Sequence, residues 1–366
     1  MRGQWIGRYW GIAEGQMMVN IDEVDDHYEC VAYVNPNTSS IPGSVAFLTT
    51  QDRSEDQKVD ASVNAVDPRT GNQCRWEDIQ HLYDDSVSHS NTSQVHLYLD
   101  NGKLHLDANT EYGRFTSILE KPTQSDGSRI AGEKLSWQDF KNFVSTLSTS
   151  KFLFRGQERP WRLCTSFHRR GRYRVSDFIN RDVRQLHRRL SGITDHFFDL
   201  GTPEQNGAFF NLLQHHGYPT PLLDWSYSPY VAAFFAFRDQ PTNYTGSEEV
   251  RIYVFDNKEW QARYPQIQNI DPPSPHLSVM EFVSIGNPRQ IPQQAVTTVT
   301  NIHDIEAYIL AREKDTGVRF LKAFDIPARE RTAAMRDLRF MGITPGSMFP
   351  GIDGVCEELR ELNFEF

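Results

Sequence analysis

Runs of alternating apolar and polar residues fill much of the N-terminal third of the chain. This period of two is typical of β-strands with one buried face, and the residues involved are rich in Trp, Tyr, Ile and Val. The clearest runs are 5–11, 17–22 and 28–34. Pro36, Pro42 and Gly43 supply the turns that short strands need.

A second pair of runs, 95–99 and 103–106, flanks Asn101-Gly102. An Asn-Gly dipeptide between two alternating runs predicts a tight β-hairpin. Residues 51–75 are polar, and we expect a loop there. The N-terminal part is therefore predicted to be a small all-β unit, either a sandwich or a barrel.

Helical periodicity replaces this alternation after residue 130. Ser136 is a suitable N-cap, and apolar residues recur at helical spacing from Trp137 to Leu147. Further helices are predicted at 176–190, 206–215, 228–237, 302–314 and 327–340, with strands at 152–154, 251–255 and 319–326. This mixture predicts an α+β fold.

The chain has 366 residues, more than one hydrophobic core usually serves. We expect two domains: a small all-β domain at residues 1–128, followed by a mixed α+β domain at residues 129–366. The small and polar residues from Gln124 to Ser128 predict a linker between them.

Charge is distributed unevenly along the chain. Residues 1–128 carry 9 basic and 20 acidic side chains, whereas residues 151–189 carry 12 basic and 3 acidic ones. The basic segment suits an anionic ligand such as nucleic acid, although an arginine-rich helix face in water has the same composition. The candidate contacts to nucleic acid, expected on the surface beside a cleft, are Arg169, Arg170, Arg172 and Arg174.

Cysteine usage and the absence of several motifs narrow the class of protein. The four cysteines are far apart and form no Cys-x-x-Cys pair, which predicts reduced thiols and a cytoplasmic protein. The first residues lack a signal-peptide pattern, and no apolar run is long enough to cross a membrane. Zinc-type histidine spacing, Gly-x-Gly-x-x-Gly, Walker A and Gly-x-Ser-x-Gly motifs do not occur, so we expect no metal site and no Rossmann, P-loop or serine-hydrolase chemistry.

Three ordered blocks of residues carry a family resemblance. The first is Phe154-Arg155-Gly156-Gln157, the second runs from Gln214 to Ala236 and the third from Asn287 to Gln294. The second block contains Gln214-His215-His216-Gly217, Leu222-Leu223-Asp224-Trp225-Ser226 and the apolar helix that follows. Together with a closing segment at 338–354, these blocks resemble the FRG-domain family, which is named after its Phe-Arg-Gly string.

The resemblance spans about residues 135–360 and departs from the family pattern in one place. Ala295-Val296-Thr297 stands where a Gly-x-Phe ending is expected, which puts the strand register there in question. Residues 3–7 and 20–22 also resemble the β-rich unit that precedes some FRG domains.

FRG domains are remotely similar to ADP-ribosyltransferases, and this likeness implies an ADP-ribosyltransferase-like fold with NAD as substrate. It implies that Arg155 clamps the NAD pyrophosphate, because an arginine fork binds phosphates through two parallel bonds. Gly156 would let the backbone approach the ligand closely. The other residues implied at the NAD site are Gln157, Asp224, Trp225, Ser226 and Arg289.

The same likeness suggests catalytic residues. Gln293 or Gln294 would accept a hydrogen bond from the nicotinamide ribose, with Glu281 as the alternative if a carboxylate is required. His215 or His216 would contact a phosphate or activate the acceptor. Asp224, which is flanked by apolar residues, is expected to be partly buried and to orient Arg155 or His215.

The resemblance therefore implies an NAD-dependent ADP-ribosyltransferase-like toxin or effector that acts on nucleic acid, RNA or DNA. It also implies a role in bacterial phage defence or in a toxin–antitoxin pair, with an antitoxin or chaperone-like neutralising protein as partner. Two alternatives remain open. One is a non-catalytic nucleic-acid-binding module, and the other is a nuclease-like hydrolase that uses Asp224, His215 and His216.

Overall fold

The computed structural model describes residues 1–122, 125–241 and 246–365. It consists of a β-rich N-terminal unit followed by a unit of mixed strands and helices, so the predicted α+β fold is confirmed at this level. No helix in the described part of the chain is both long and apolar enough to cross a membrane.

The N-terminal unit is a closed barrel. Its strands are β1 (Gly3–Gly11), β2 (Gly15–Val24), β3 (His27–Pro36), β4 (Ser44–Thr49), β5 (Asp56–Val66), the short β6 (Gln73–Cys74), β7 (Thr92–Asp100), β8 (Lys103–Thr110) and β9 (Gly113–Glu120). All neighbours are antiparallel, β1 pairs with β9, and β4 pairs with β5, which closes a ring of eight strands. The predicted hairpin at Asn101-Gly102 is confirmed as the β7–β8 turn.

The loop predicted at 51–75 is wrong for its central part, because 11 of these residues form β5 (Asp56–Val66). Lys58 and Asp60 are exposed, while Ala61 and Ala65 are buried. The outward side chains of β5 are polar, and two of its inward ones are only alanine, so the segment has a polar composition overall. This strand closes the barrel by pairing with both β4 and β7.

The second unit is built on a seven-stranded sheet. Its strands are β10 (Gly132–Lys134), β11 (Phe152–Gln157), β12 (Leu222–Ser226), β13 (Glu249–Asp256), β14 (Leu277–Met280), β15 (Ala295–Thr300) and β16 (Leu321–Pro327), in the order β10-β16-β13-β11-β12-β15-β14. Only β10 and β16 are parallel among these pairs. Arg251 on β13 and Asp325 on β16 form a buried two-bond ion pair, with both N–O distances 2.7 Å.

The chain has one short helix in the barrel unit, and helices of the second unit cover both faces of its sheet. The helices are α1 (Trp76–Ile79) in the barrel unit, then α2 (Trp137–Ser145), α3 (Ser166–Arg169), α4 (Val175–Asp177), α5 (Arg184–Leu190), α6 (Pro203–His215), α7 (Pro229–Phe237), α8 (Asn257–Arg263), α9 (Ile305–Thr316), α10 (Arg331–Phe340), α11 (Pro345–Met348) and α12 (Ile352–Arg360). Ile252 and Val254 pack with α2, α7 and α10, whereas Tyr253 and Phe255 pack with α8 and α9.

One helix begins where the sequence predicts it, and two others depart from the prediction. Ser136 accepts a hydrogen bond from the amide of Asp139 and caps α2 as predicted. The helix predicted at 302–314 begins later, at Ile305, because Asp304 caps it, and it ends before Gly317, which has φ +69°. The helix predicted at 176–190 is interrupted by a π-helical segment, Phe178–Val183.

The barrel and the second unit share a buried interface. Tyr33 donates hydrogen bonds to the carboxylate of Asp271, and Asp22 accepts from the amide of Tyr173. Gln4 binds the carbonyl of Asn301 and the amide of His303 through its side chain. An apolar cluster at this contact comprises Met18, Val31, Tyr33, Val45, Val66 and Ile302.

The C-terminal end of the predicted linker is hydrogen-bonded to the second unit. The Ser128 hydroxyl and the amide of Arg129 both donate to the carboxylate of Glu306 on α9. Gln124, at the start of the predicted linker, lies outside the described residues. Ser128 is thus held by the second unit.

Candidate active-site cleft

The second sheet separates between two of its central strands, and a cleft opens there. In the described structure, β11 and β12 pair only at Phe154 and Ser226. The cleft beyond this pair has a volume of about 390 Å³, and it adjoins a smaller space of about 180 Å³. Arg155, Arg169 and Asp224 line both spaces. Pockets that bind small molecules and cofactors usually have volumes of about 300–1,000 Å³, and the two spaces together fall in this range.

Arg155 lies at the point where the two strands separate. Its Nη1 donates a 2.7 Å hydrogen bond to the backbone carbonyl of Asp224, so the guanidinium satisfies an acceptor that the sheet leaves unpaired. Its Nε is buried and has no acceptor among the described residues. Burial lowers the pKa of Arg155 and the Asp224 carboxylate opposes this, but an arginine remains charged in either case. A half-buried cation with a buried, unpaired donor atom is suited to bind an anion.

The three sequence blocks meet in this cleft. Residues of β11, of the C-terminal turn of α6, of β12 and α7, and of the segment before β15 all contribute to its walls. They include Arg155, Gly156, Gln157, Gln214, His215, Asp224, Ser226, Asn287, Arg289 and Gln293. Gln157 Oε1 and His215 Nε2 are, like Arg155 Nε, buried and unpaired within the described chain. Three unpaired polar atoms around one cleft are consistent with a polar ligand.

Gly156 is required by helix packing. A Cβ atom at this position would overlap the backbone carbonyl oxygen of Ala232 and would lie 2.9 Å from the amide nitrogen of Ala236. Strand β11 therefore packs directly against the backbone of α7. Gly156 also lines the cleft, and its predicted role in letting a ligand approach stays a prediction.

Strand alternation separates the roles of the three consecutive residues at the end of β12. Asp224 is exposed and lines the cleft, which corrects the prediction that it is partly buried. Trp225 contributes to the cleft wall, but its ring is buried beside Phe255 and its indole donates to Thr298, which fixes it in the core. The Ser226 hydroxyl donates to the carbonyl of Gln293 and accepts from an amide at the start of α7, so its bonds support the cleft wall.

The two histidines at the end of α6 differ in position. His215 lines the cleft, and burial, followed by the nearby charge of Arg289, lowers its pKa. His215 is therefore neutral at pH 7. His216 is exposed and is not part of the cleft wall, which separates it from the site predicted for it.

The glutamine pair lies in a turn that precedes β15. Gln293 lines the cleft, and its Nε2 donates to the carbonyl of Met348, which holds the closing segment against the site. Gln294 is exposed with φ +46°, and it lies outside the cleft wall. Glu281 is exposed as well and accepts a 2.5 Å hydrogen bond from Tyr227. Of these three candidates, only Gln293 lines the same cleft as Arg155.

Comparison with known families agrees with the first two blocks. Residues 150–245 match the family model of the FRG domain. The chain contains an FRG domain. The matched range includes Arg155, His215 and Asp224, whereas Arg289 and Gln293 follow it in the chain. No curated protein and no solved structure shows significant similarity to this chain.

The four arginines of the FRG domain that are predicted to contact nucleic acid fall into two pairs with different surroundings. Arg169 and Arg170 are exposed, and Arg169 also lines the cleft. Arg172 instead pairs with Asp177 and Asp182, and its guanidinium packs on Phe167.

Arg174 pairs with Glu29 of the barrel and is only 13% exposed at its side chain. The predicted surface position is therefore wrong for Arg172 and Arg174. Both are held by buried or half-buried carboxylates that need a counter-charge.

Aromatic residues at the edge of the FRG cleft were missed by the sequence reasoning. Phe235 on α7 and Phe349 of the closing segment line the cleft with ring centroids 6.0 Å apart. The guanidinium of Arg289 lies 5.1 Å from the Phe349 ring centroid. Both residues occur within the quoted motifs, but a phenylalanine in an apolar helix or a turn carries no signal that separates a site wall from a core.

Proposed function

We propose that this protein is an NAD-dependent ADP-ribosyltransferase-like enzyme, with the FRG-domain cleft as its NAD site. One observation carries the proposal. Arg155 presents a buried, unpaired N–H at a cleft where the three sequence blocks converge. NAD carries a pyrophosphate that matches this cation and aromatic rings that match the Phe235 and Phe349 edge.

The reaction transfers ADP-ribose from NAD to a nucleophile. The bond between nicotinamide and ribose C1 breaks, its electron pair leaves with nicotinamide, and C1 bonds to the acceptor, which loses a proton. Neutral His215 can take that proton, because its buried Nε2 is unpaired. Asp224 and the amide oxygen of Gln293 provide acceptors for ribose hydroxyls.

Nucleic acid is the acceptor that we propose, because the exposed Arg169 lines the cleft and the exposed Arg170 follows it in the chain. A toxic effector role in phage defence or in a toxin–antitoxin pair, with a neutralising partner protein, follows from the family resemblance and extends this proposal. The second candidate function, a non-catalytic nucleic-acid-binding module, rests on the same two arginines.

The deciding experiment measures nicotinamide release from NAD in the presence of RNA, DNA and cell extract. Arg155→Ala should lower kcat/KM by about 30- to 5,000-fold, since losing one partner of a buried charged contact costs roughly 2–5 kcal/mol. Arg155→Lys should restore little, because a point charge does not reproduce the planar fork.

Arg336→Ala is the matched control, since Arg336 is exposed, does not line the cleft and lies outside the arginine-rich segment. It should retain nicotinamide release at saturating acceptor. Wild-type protein that leaves NAD intact with every acceptor present would refute the transferase proposal. Nucleic-acid binding without NAD turnover would then favour the binding module.

A further inference from the structure

The barrel contains an apolar cavity that shares no lining residue with the FRG cleft. Its volume is about 130 Å³. Four strand connections at one end of the barrel surround it, and they contribute Ile12, Pro42, His89 and Tyr112. Eight-stranded barrels are wide enough either to be filled by side chains or to hold one small ligand.

Most polar groups in the cavity wall are already bonded within the barrel. The hydroxyls of Ser90, Ser93 and Thr110 donate to backbone carbonyls at 2.7, 3.1 and 2.9 Å. None of the described Lys, Arg, Asp or Glu residues lines the cavity. The wall is therefore uncharged, and a charged ligand would be desolvated there without a counter-charge.

Besides the hydroxyls of the exposed Ser88 and Tyr112, two polar groups in the wall have no bond within the described chain. Tyr9 is 3% exposed, and burial alone shifts the pKa of its phenol, with no hydrogen bond from the described residues contributing. Burial raises the pKa of Tyr9 to about 12, so the phenol stays neutral. His89 Nε2 lies 3.0 Å from the Ser44 hydroxyl, while its Nδ1 is buried and unpaired within the described chain. Unpaired groups of this kind favour a ligand that carries one complementary polar group.

We propose that the barrel binds a neutral, single-ring aromatic molecule that carries one hydroxyl or carbonyl group. The volume matches one ring, since an apolar cavity of about 150 Å³ holds benzene. The Tyr9 and Phe115 rings line the cavity edge to face, with centroids 5.6 Å apart, and present flat walls. The polar group of the ligand pairs with the Tyr9 phenol.

The first test compares four probes by calorimetry and by the shift in Tm. These are p-cresol, toluene, n-hexanol and benzoate. We expect p-cresol to bind about 2- to 12-fold more tightly than toluene, because one net hydrogen bond contributes about 0.5–1.5 kcal/mol. Binding of n-hexanol or benzoate equal to that of p-cresol would overturn the proposal, and so would the absence of binding by all four probes.

The second test uses variants of the cavity wall. Tyr9→Phe should bring p-cresol affinity down to that of toluene and leave toluene affinity unchanged. Tyr28→Phe is the matched control, because Tyr28 is buried in the same barrel core but does not line the cavity. Equal losses in both variants would show a structural effect and contradict the assignment.

Filling the cavity should abolish binding of both aromatic probes. Ala108, 1% exposed and part of the wall, is the position for Ala108→Leu. Ala46→Val fills the same space with a smaller change, should the leucine variant not fold. Full p-cresol affinity in either folded variant would place binding elsewhere and overturn the proposal.

Discussion

Tyr33 of the barrel donates 2.7 Å hydrogen bonds to the carboxylate oxygens of Asp271 in the second unit. Both residues are buried, and burial raises the pKa of Asp271 to about 7, although the bond from Tyr33 works in the opposite direction. The contact between the two units therefore contains a carboxyl group that titrates near neutrality.

This group makes stability depend on pH with a definite sign. Between pH 4 and 7 the folded protein retains a proton that the unfolded chain releases, so the contribution of Asp271 falls as pH rises through this range. We expect the wild type to lose roughly 1–3 kcal/mol of unfolding free energy from this group between pH 5 and pH 8. Denaturant unfolding at pH 5 and at pH 8 measures this change in unfolding free energy.

Asp271→Asn is the control for the pH effect, because the amide keeps an acceptor for Tyr33 but does not titrate. Its stability relative to wild type should rise between pH 5 and pH 8. Buried His276 and His303 titrate in both proteins and cancel in this difference. A difference that is flat with pH would contradict the assignment.

Because β11 packs closely on α7, we expect a single methyl group added at Gly156 to lower the stability of the fold. Gly156→Ala should lower the unfolding free energy by roughly 2–4 kcal/mol, because its Cβ meets the backbone of Ala232 and Ala236 and neither can move alone. Gly192→Ala is the matched control, since the nearest atom to its Cβ is 3.9 Å away. A Gly156→Ala protein as stable as Gly192→Ala would show that the helix can shift.

The two arginine pairs should respond differently in a nucleic-acid binding assay. Replacing the exposed Arg169 and Arg170 by Ser should weaken binding and reduce the slope of log K against log salt by about 2. Arg174→Ser should leave that slope unchanged and lower stability, because it leaves Glu29 without its partner. Equal salt slopes for the wild type, the double variant and Arg174→Ser would show that Arg169 and Arg170 do not contact phosphates.

The proposed role of Gln293 predicts a change in kcat more than in KM. Gln293→Ala should slow nicotinamide release with little effect on NAD affinity, if its amide oxygen acts on the ribose in the transition state. Gln294→Ala is the matched control, because Gln294 is exposed outside the cleft. Equal effects of the two substitutions would contradict the assignment.

Local sequence signals determined much of the secondary structure. The Asn101-Gly102 turn, the Ser136 cap and the alternation of the N-terminal strands each depend on residues within a few positions of one another. The order of the three blocks likewise pointed to the residues that line the cleft. Such signals are readable because hairpin turns, helix caps and strand faces are set by near neighbours.

Tertiary structure alone decided which of those residues are available for chemistry. Arg174 and Glu29 are 145 positions apart, and no local pattern reveals that one neutralises the other. The reason for Gly156 lies in a helix more than seventy residues away. The exposure of Asp224 follows from two strands that separate beyond the pair Phe154–Ser226. Burial and pairing depend on contacts between distant segments, which the folded chain creates and the order of residues does not display.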